Sequence, residues 1–163
     1  MPTLEVINRL PFETAEAGFF QCCGSRRWAE RMSGSRPFTM EADLFSVASR
    51  IWHSLSEADW LEAFSHHPKI GQSSKPMAKW AEEEQAGARS AASDVLADLA
   101  RNNEQYTEKF GFIFLVCATG KTAEEMLALL KARMGNSPEE EIRIAAGEQA
   151  KITHLRLEKL LRS

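Results

Sequence analysis

Only one stretch of this chain reads as extended backbone. Phe110-Gly-Phe-Ile-Phe-Leu-Val-Cys-Ala118 is rich in residues that favour strands. No other stretch makes a convincing partner for it. A lone strand-like segment cannot build a sheet, so the rest of the chain must make the fold from helices. The segment must also satisfy its N–H and C=O groups without a ladder. It can be a buried helix end, a connector satisfied by other groups, or a wall whose free backbone groups face a ligand. Amide-rich ligands suit such a wall, because they alternate donors and acceptors.

The remaining punctuation is spaced for helices. Gly24-Ser25, Ser33-Gly34-Ser35, Gly71 to Lys75, Gly120 and Gly135-Asn136 are turn signals. Strong helix formers lie between them. The spacing predicts a helix over 76–101, with a stripe of Met77, Trp80, Ala81, Ala88, Ala91, Val95 and Leu99. A second runs over 137–161, capped by Ser137, with Pro138 first and Glu139 to Glu141 at its positive end. Its stripe is Ile142, Ala145, Ala146, Ile152, Leu155 and Leu160. Thr122 and Glu125 form a capping-box pattern for a helix to Met134. Residues 41–54 and 56–64 also read as helices, and Ser56 with Asp59 is a weaker capping pattern. The first forty residues read as shorter helices broken by Pro11, Gly24 and Gly34. The expected fold is all-α: one domain over 1–163, a bundle of about eight helices, with a buried extended connector near 110–118.

Composition narrows the function classes. Twenty basic and 23 acidic residues give a net charge of -3, against the basic excess of nucleic-acid binders. The run 110–118 is far short of the roughly 20 apolar residues that span a bilayer. Cys22, Cys23 and Cys117 are odd in number and irregular in spacing, so they are no disulfide framework. No C-x-x-C or H-x-x-x-H pair supports a zinc site. The first ten residues lack a secretory apolar core and the tail is not a peroxisomal address. The expected compartment is the reducing cytoplasm.

Three polar residues stand in apolar places. Glu84 lies on the 76–101 stripe, four after Trp80 and four before Ala88. Burial would raise a carboxyl pKa, which suits acid–base work, and a buried salt bridge would serve as well. Arg156 lies on the last stripe, four after Ile152, seven after Gln149 and four before Leu160. A guanidinium there wants an anion, either Glu84 or a substrate carboxylate. His67 precedes Pro68, which restricts it to extended backbone and stops the preceding helix. An imidazole held on such a corner can move protons near neutral pH. His53 and His154 have nothing comparable around them. Together the three suggest an acid–base site for a small anion.

These residues belong to a longer pattern. His67-Pro68-Lys69-Ile70-Gly71, Glu84-Gln85-Ala86-Gly87, Asn103, Tyr106, Lys109-Phe110-Gly111-Phe112 and Lys151-Ile152-Thr153-His154-Leu155-Arg156-Leu157 occur in that order. Leu4 to Leu10, Phe19, Phe20, Trp28-Ala29 and Met32 fit the opening. The chain resembles the OHCU decarboxylases, which act on 2-oxo-4-hydroxy-4-carboxy-5-ureidoimidazoline in uric acid breakdown. The resemblance implies an all-helical homodimer that needs no metal or organic cofactor. It implies that His67 transfers protons, and that Glu84 and Gln85 contact the substrate. Pro68 would shape the pocket, Arg156 would bind or polarise the substrate, and backbone groups of Leu115, Val116, Cys117, Ala118 and Thr119 would hydrogen-bond it. Ala81 stands where the family often has a serine, so a hydroxyl contact is missing there. Three other readings compete: a ureide-binding module without turnover, a helical interaction protein, and an enzyme for a related ring.

Overall fold

The computed structural model describes residues 3–68 and 93–163. Among them there are eight α-helices and no strand. They are α1 (Leu4–Arg9), α2 (Phe12–Cys22), α3 (Arg26–Gly34), α4 (Glu41–Ser54), α5 (Glu57–Ser65), α6 (Ser93–Phe110), α7 (Ala123–Arg133) and α8 (Pro138–Arg162). The all-helical expectation holds.

Helix starts follow the short polar caps. Ser25 Oγ accepts from Trp28 N at 3.2 Å to start α3. Thr122 and Glu125 make a reciprocal capping box on α7, at 3.1 and 3.0 Å. Ser137 Oγ accepts from Glu140 N at 3.2 Å to start α8. Each satisfies a donor that helix geometry leaves over.

Two details correct the sequence reading. The helix expected to end at Arg101 runs on to Phe110. Asn102 does not break it, because its amide donates to Asp98 O at 2.7 Å, one turn back. The helix stops at Gly111, whose φ of +84° suits glycine and whose N–H closes on Thr107 O at 2.8 Å. In α8 the buried stripe is turned slightly: Leu157 and Leu161 are buried, while Leu155 and Leu160 are half-buried. Residues 76–92 of the expected helix and the turn at 71–75 lie outside the described residues.

The residues group into two compact units, 1–63 with 150–163, and 64–149. In the first, α2 packs on α3 and α3 on α4. Phe19 meets Trp28 and Phe38 edge-on, and Trp28 Nε1 donates to Ala48 O at 3.1 Å. Arg36 Nη1 reaches the carbonyls of Ile7 and Leu10 at 2.8 and 2.7 Å, and its Nε reaches Ser33 O at 2.9 Å. A cation there suits carbonyls left over at helix C-termini. In the second unit α6 packs on α7, and Tyr106, Phe112 and Phe114 form an aromatic cluster. No helix among the described residues is long and apolar enough to cross a membrane.

Candidate active site

The connector after α6 is neither helix nor strand and is buried from Phe114 to Ala118. Gly111 opens it, and Gly120, with φ +80°, turns it towards α7. Its polar groups are met one at a time by side chains. Asn103 Oδ1 accepts from Phe114 N at 2.9 Å. Arg133 Nη1 donates to Leu115 O at 2.8 Å. Glu148 Oε1 accepts from Cys117 N at 3.0 Å, and Lys121 Nζ donates to Cys117 O at 2.8 Å. The N–H groups of Leu115 and Ala118 and both polar groups of Val116 take no partner among the described residues. Buried backbone groups are costly to leave unmet, which sets these apart from the rest of the segment. The segment is therefore a connector satisfied by side chains over part of its length.

Arg133 is itself buried and paired. Its guanidinium meets the Glu141 carboxylate at 2.7 Å from Nε and 2.5 Å from Nη2. Tyr106 donates to the same carboxylate, and Asn136 Nδ2 donates to it at 3.0 Å. Burial pushes the Tyr106 hydroxyl pKa up, and the bond to Glu141 adds to the rise. The Arg133 guanidinium also lies 4.5 Å from the Phe114 ring centre. Glu141 reads in the sequence as one of three acids at a helix start. The structure makes it 0% exposed and the hub of this cluster.

His67 sits where α5 ends. Its N–H donates to Phe64 O at 3.2 Å, and Pro68 follows it. Its ring Nε2 lies 2.6 Å from Oε1 of Gln149 on α8, 82 residues further along the chain. His67, Pro68, Gln149 and the connector all belong to the unit 64–149.

Arg156 belongs to the other unit and is 1% exposed, as its place on the stripe predicts. Near it lies Cys23, whose thiol pKa burial pushes up to about 12; a hydrogen bond from Thr153 and the charge of Arg156 pull the other way. His154 is not featureless: it stacks on Phe45 with ring centres 4.2 Å apart and pairs with Glu158 at 2.9 Å. A groove of about 450 Å³ beside that stack is lined by Phe45, Trp52 and Leu157, and none of the described residues that line it is an expected site residue. Ala81, Glu84 and Gln85 lie outside the described residues. No group of three or more His, Cys, Asp or Glu side chains that could hold a metal occurs among the described residues.

Gln149, Glu148, Asn103 and Arg133 went unassigned by sequence reasoning. The signal for Gln149 was available: it stands on the same stripe as Arg156, a polar residue at a core position.

Comparison with known proteins bears on the whole chain. A family model described as OHCU decarboxylase matches residues 8–158. The uric acid degradation bifunctional protein TTL of Arabidopsis thaliana is 41% identical over 157 residues, covering 93% of this chain and 48% of that protein. This chain thus spans about half of that relative. The 2-oxo-4-hydroxy-4-carboxy-5-ureidoimidazoline decarboxylase of Haloferax volcanii is 31% identical over 95% of this chain and 94% of its own length. A crystal structure of OHCU decarboxylase in the presence of (S)-allantoin aligns with a TM-score of 0.80 and 42% identity, covering 89% of this chain and 97% of that one.

Proposed function

The chain belongs to the OHCU decarboxylase family, and from that premise we propose how it works. It decarboxylates 2-oxo-4-hydroxy-4-carboxy-5-ureidoimidazoline in uric acid degradation, and its product is (S)-allantoin. The observation that carries this reading is that the N–H groups of Leu115, Val116 and Ala118 take no partner among the described residues, in the same unit as His67. A ring bearing amide and ureido groups supplies the matching donors and acceptors.

The reaction sets clear demands. The C–CO2 bond breaks and its electron pair moves into the adjacent C=N of the ring, so the substrate carries its own electron sink. The ring nitrogen of that C=N takes up a proton; the ring hydroxyl then gives up its proton to become a carbonyl, and the ureido-bearing carbon gains a proton on one face. His67 and Glu84 handle these protons. Arg156 steadies the charge that moves into the ring; its contact accelerates the step only if it strengthens as that charge develops. Pro68 shapes the pocket, and Gln85 with the 115–119 backbone orients the ring. Ala81 offers no hydroxyl, so the orienting contacts rest on the others.

In this reading the chain acts as one domain and as a homodimer, which sedimentation would test. Three buried free thiols support a reducing compartment such as the cytoplasm. The deciding experiment follows freshly made substrate by circular dichroism. The parent should build an (S)-allantoin signal, whereas spontaneous decay gives a racemate. His67→Asn should fold and lose about 100-fold or more in kcat. Full turnover in that variant would remove His67 from the chemistry.

A further inference from the structure

The neutral imidazole of His67 has two tautomers, and only one nitrogen of each is basic. Which one faces a reacting group is decided by what the other nitrogen does. In this protein Nε2 meets Oε1 of Gln149 at 2.6 Å. A side-chain amide oxygen accepts and never donates. The hydrogen must therefore sit on Nε2, and Nδ1 is the basic atom. Gln149 is 0% exposed, so this bond lies away from bulk water.

The rest of the corner is equally constrained. The His67 N–H is tied to Phe64 O at 3.2 Å, and Pro68 limits the backbone that follows. The next residue before Gln149, Glu148, takes the Cys117 N–H at 3.0 Å. Two consecutive residues of α8 thus set both the histidine ring and the connector.

We propose that Gln149 is a positioning residue for His67: its carbonyl fixes the ring in the Nε2–H tautomer and presents Nδ1 as the base. The proposal deepens the decarboxylase reading and rests on His67 being the proton-transfer residue. Gln149 touches the ring and acts through it. Without the acceptor, the Nε2–H tautomer loses the bond that favours it, so the productive fraction falls while substrate contacts elsewhere remain.

The test combines ring 15N spectroscopy with kinetics on the full chain. His67→Asn identifies the His67 signals by their loss. The parent, at a pH where the ring is neutral, should show Nε2 as the protonated nitrogen. Gln149→Leu should show mixed tautomers, with kcat down about tenfold and KM within about threefold of the parent. Gln149→Glu keeps an acceptor oxygen, so the hydrogen should stay on Nε2 and kcat should exceed that of the leucine variant. A purely structural role would lower all variants alike and leave the tautomer untouched. A parent ring protonated on Nδ1 overturns the proposal, as does a leucine variant with the parent's tautomer and kcat. If the leucine variant fails to fold, the parent spectrum and the glutamate variant still decide. Full activity in His67→Asn would sink the role of His67 instead, and the spectra would still show whether Gln149 sets its tautomer.

Discussion

The helix α8 and the connector at 111–118 solve one problem in opposite ways. Both must satisfy buried backbone. In α8 repetition does it, since each N–H bonds the carbonyl four residues back whatever the side chain. In the connector Phe114 N–H depends on Asn103, Leu115 C=O on Arg133, and the two Cys117 groups on Glu148 and Lys121. Helical backbone is insured by its neighbours, whereas connector backbone is hostage to single side chains. That dependence also leaves the N–H groups of Leu115 and Ala118 without a partner among the described residues, which a helix interior does not allow.

The sharpest way to break this contrast is Arg133→Met. It leaves Leu115 C=O without its donor and Glu141 as a buried carboxylate without its cation. The expected loss is about 3–5 kcal/mol in denaturant titration. Adding Glu141→Leu should recover part of it by removing the stranded charge, and a strictly additive double variant would show that the pair is not coupled. A smaller effect is expected from Asn103→Leu, about 1–3 kcal/mol, because it strands one neutral N–H. Hydrogen exchange should report that loss locally, as faster exchange at Phe114 than at the amides inside α6. Unchanged protection at Phe114 would mean another group replaces Asn103.

The helical side of the contrast should respond least. Thr122→Ala removes one half of the α7 capping box and should cost about 1 kcal/mol. The other half of the box, the Glu125 carboxylate, contributes with a pH dependence of definite sign. The Thr122 backbone N–H, and then its side chain, hold the Glu125 carboxyl below the usual carboxylate range. The capping contribution is therefore full above the unfolded carboxylate pKa and fades as pH falls through the lower folded one. Melting curves of parent and Glu125→Ala should draw together in acid; a gap that stays constant would show that the Glu125 carboxylate takes no part.

The same contrast explains what could be read in the sequence. Caps are local, so the α7 and α8 starts were legible from Thr122, Glu125 and Ser137, while α4 was legible to the residue without a side-chain cap. Periodicity is local too, and it placed Arg156 in the core correctly. Asn103, Glu141 and Gln149 act across 11 to 82 residues of chain. No periodicity encodes such distances, so Asn103 looked like part of a family motif, Glu141 like a helix-start acid, and Gln149 like one more stripe position. Family resemblance supplied the reaction, but not the side chains that hold the wall and the ring in place.

The buried thiol of Cys23 has a consequence of a different kind. With its pKa pushed up to about 12, the thiolate at neutral pH is on the order of one part in 10⁵. Alkylating reagents and peroxides attack the thiolate, and the fold shields it from both. Oxidative damage at Cys23 is thereby gated by the opening of the unit that contains it, not by the supply of oxidant. The folded chain carries a nucleophile whose chemical lifetime is set by its own breathing.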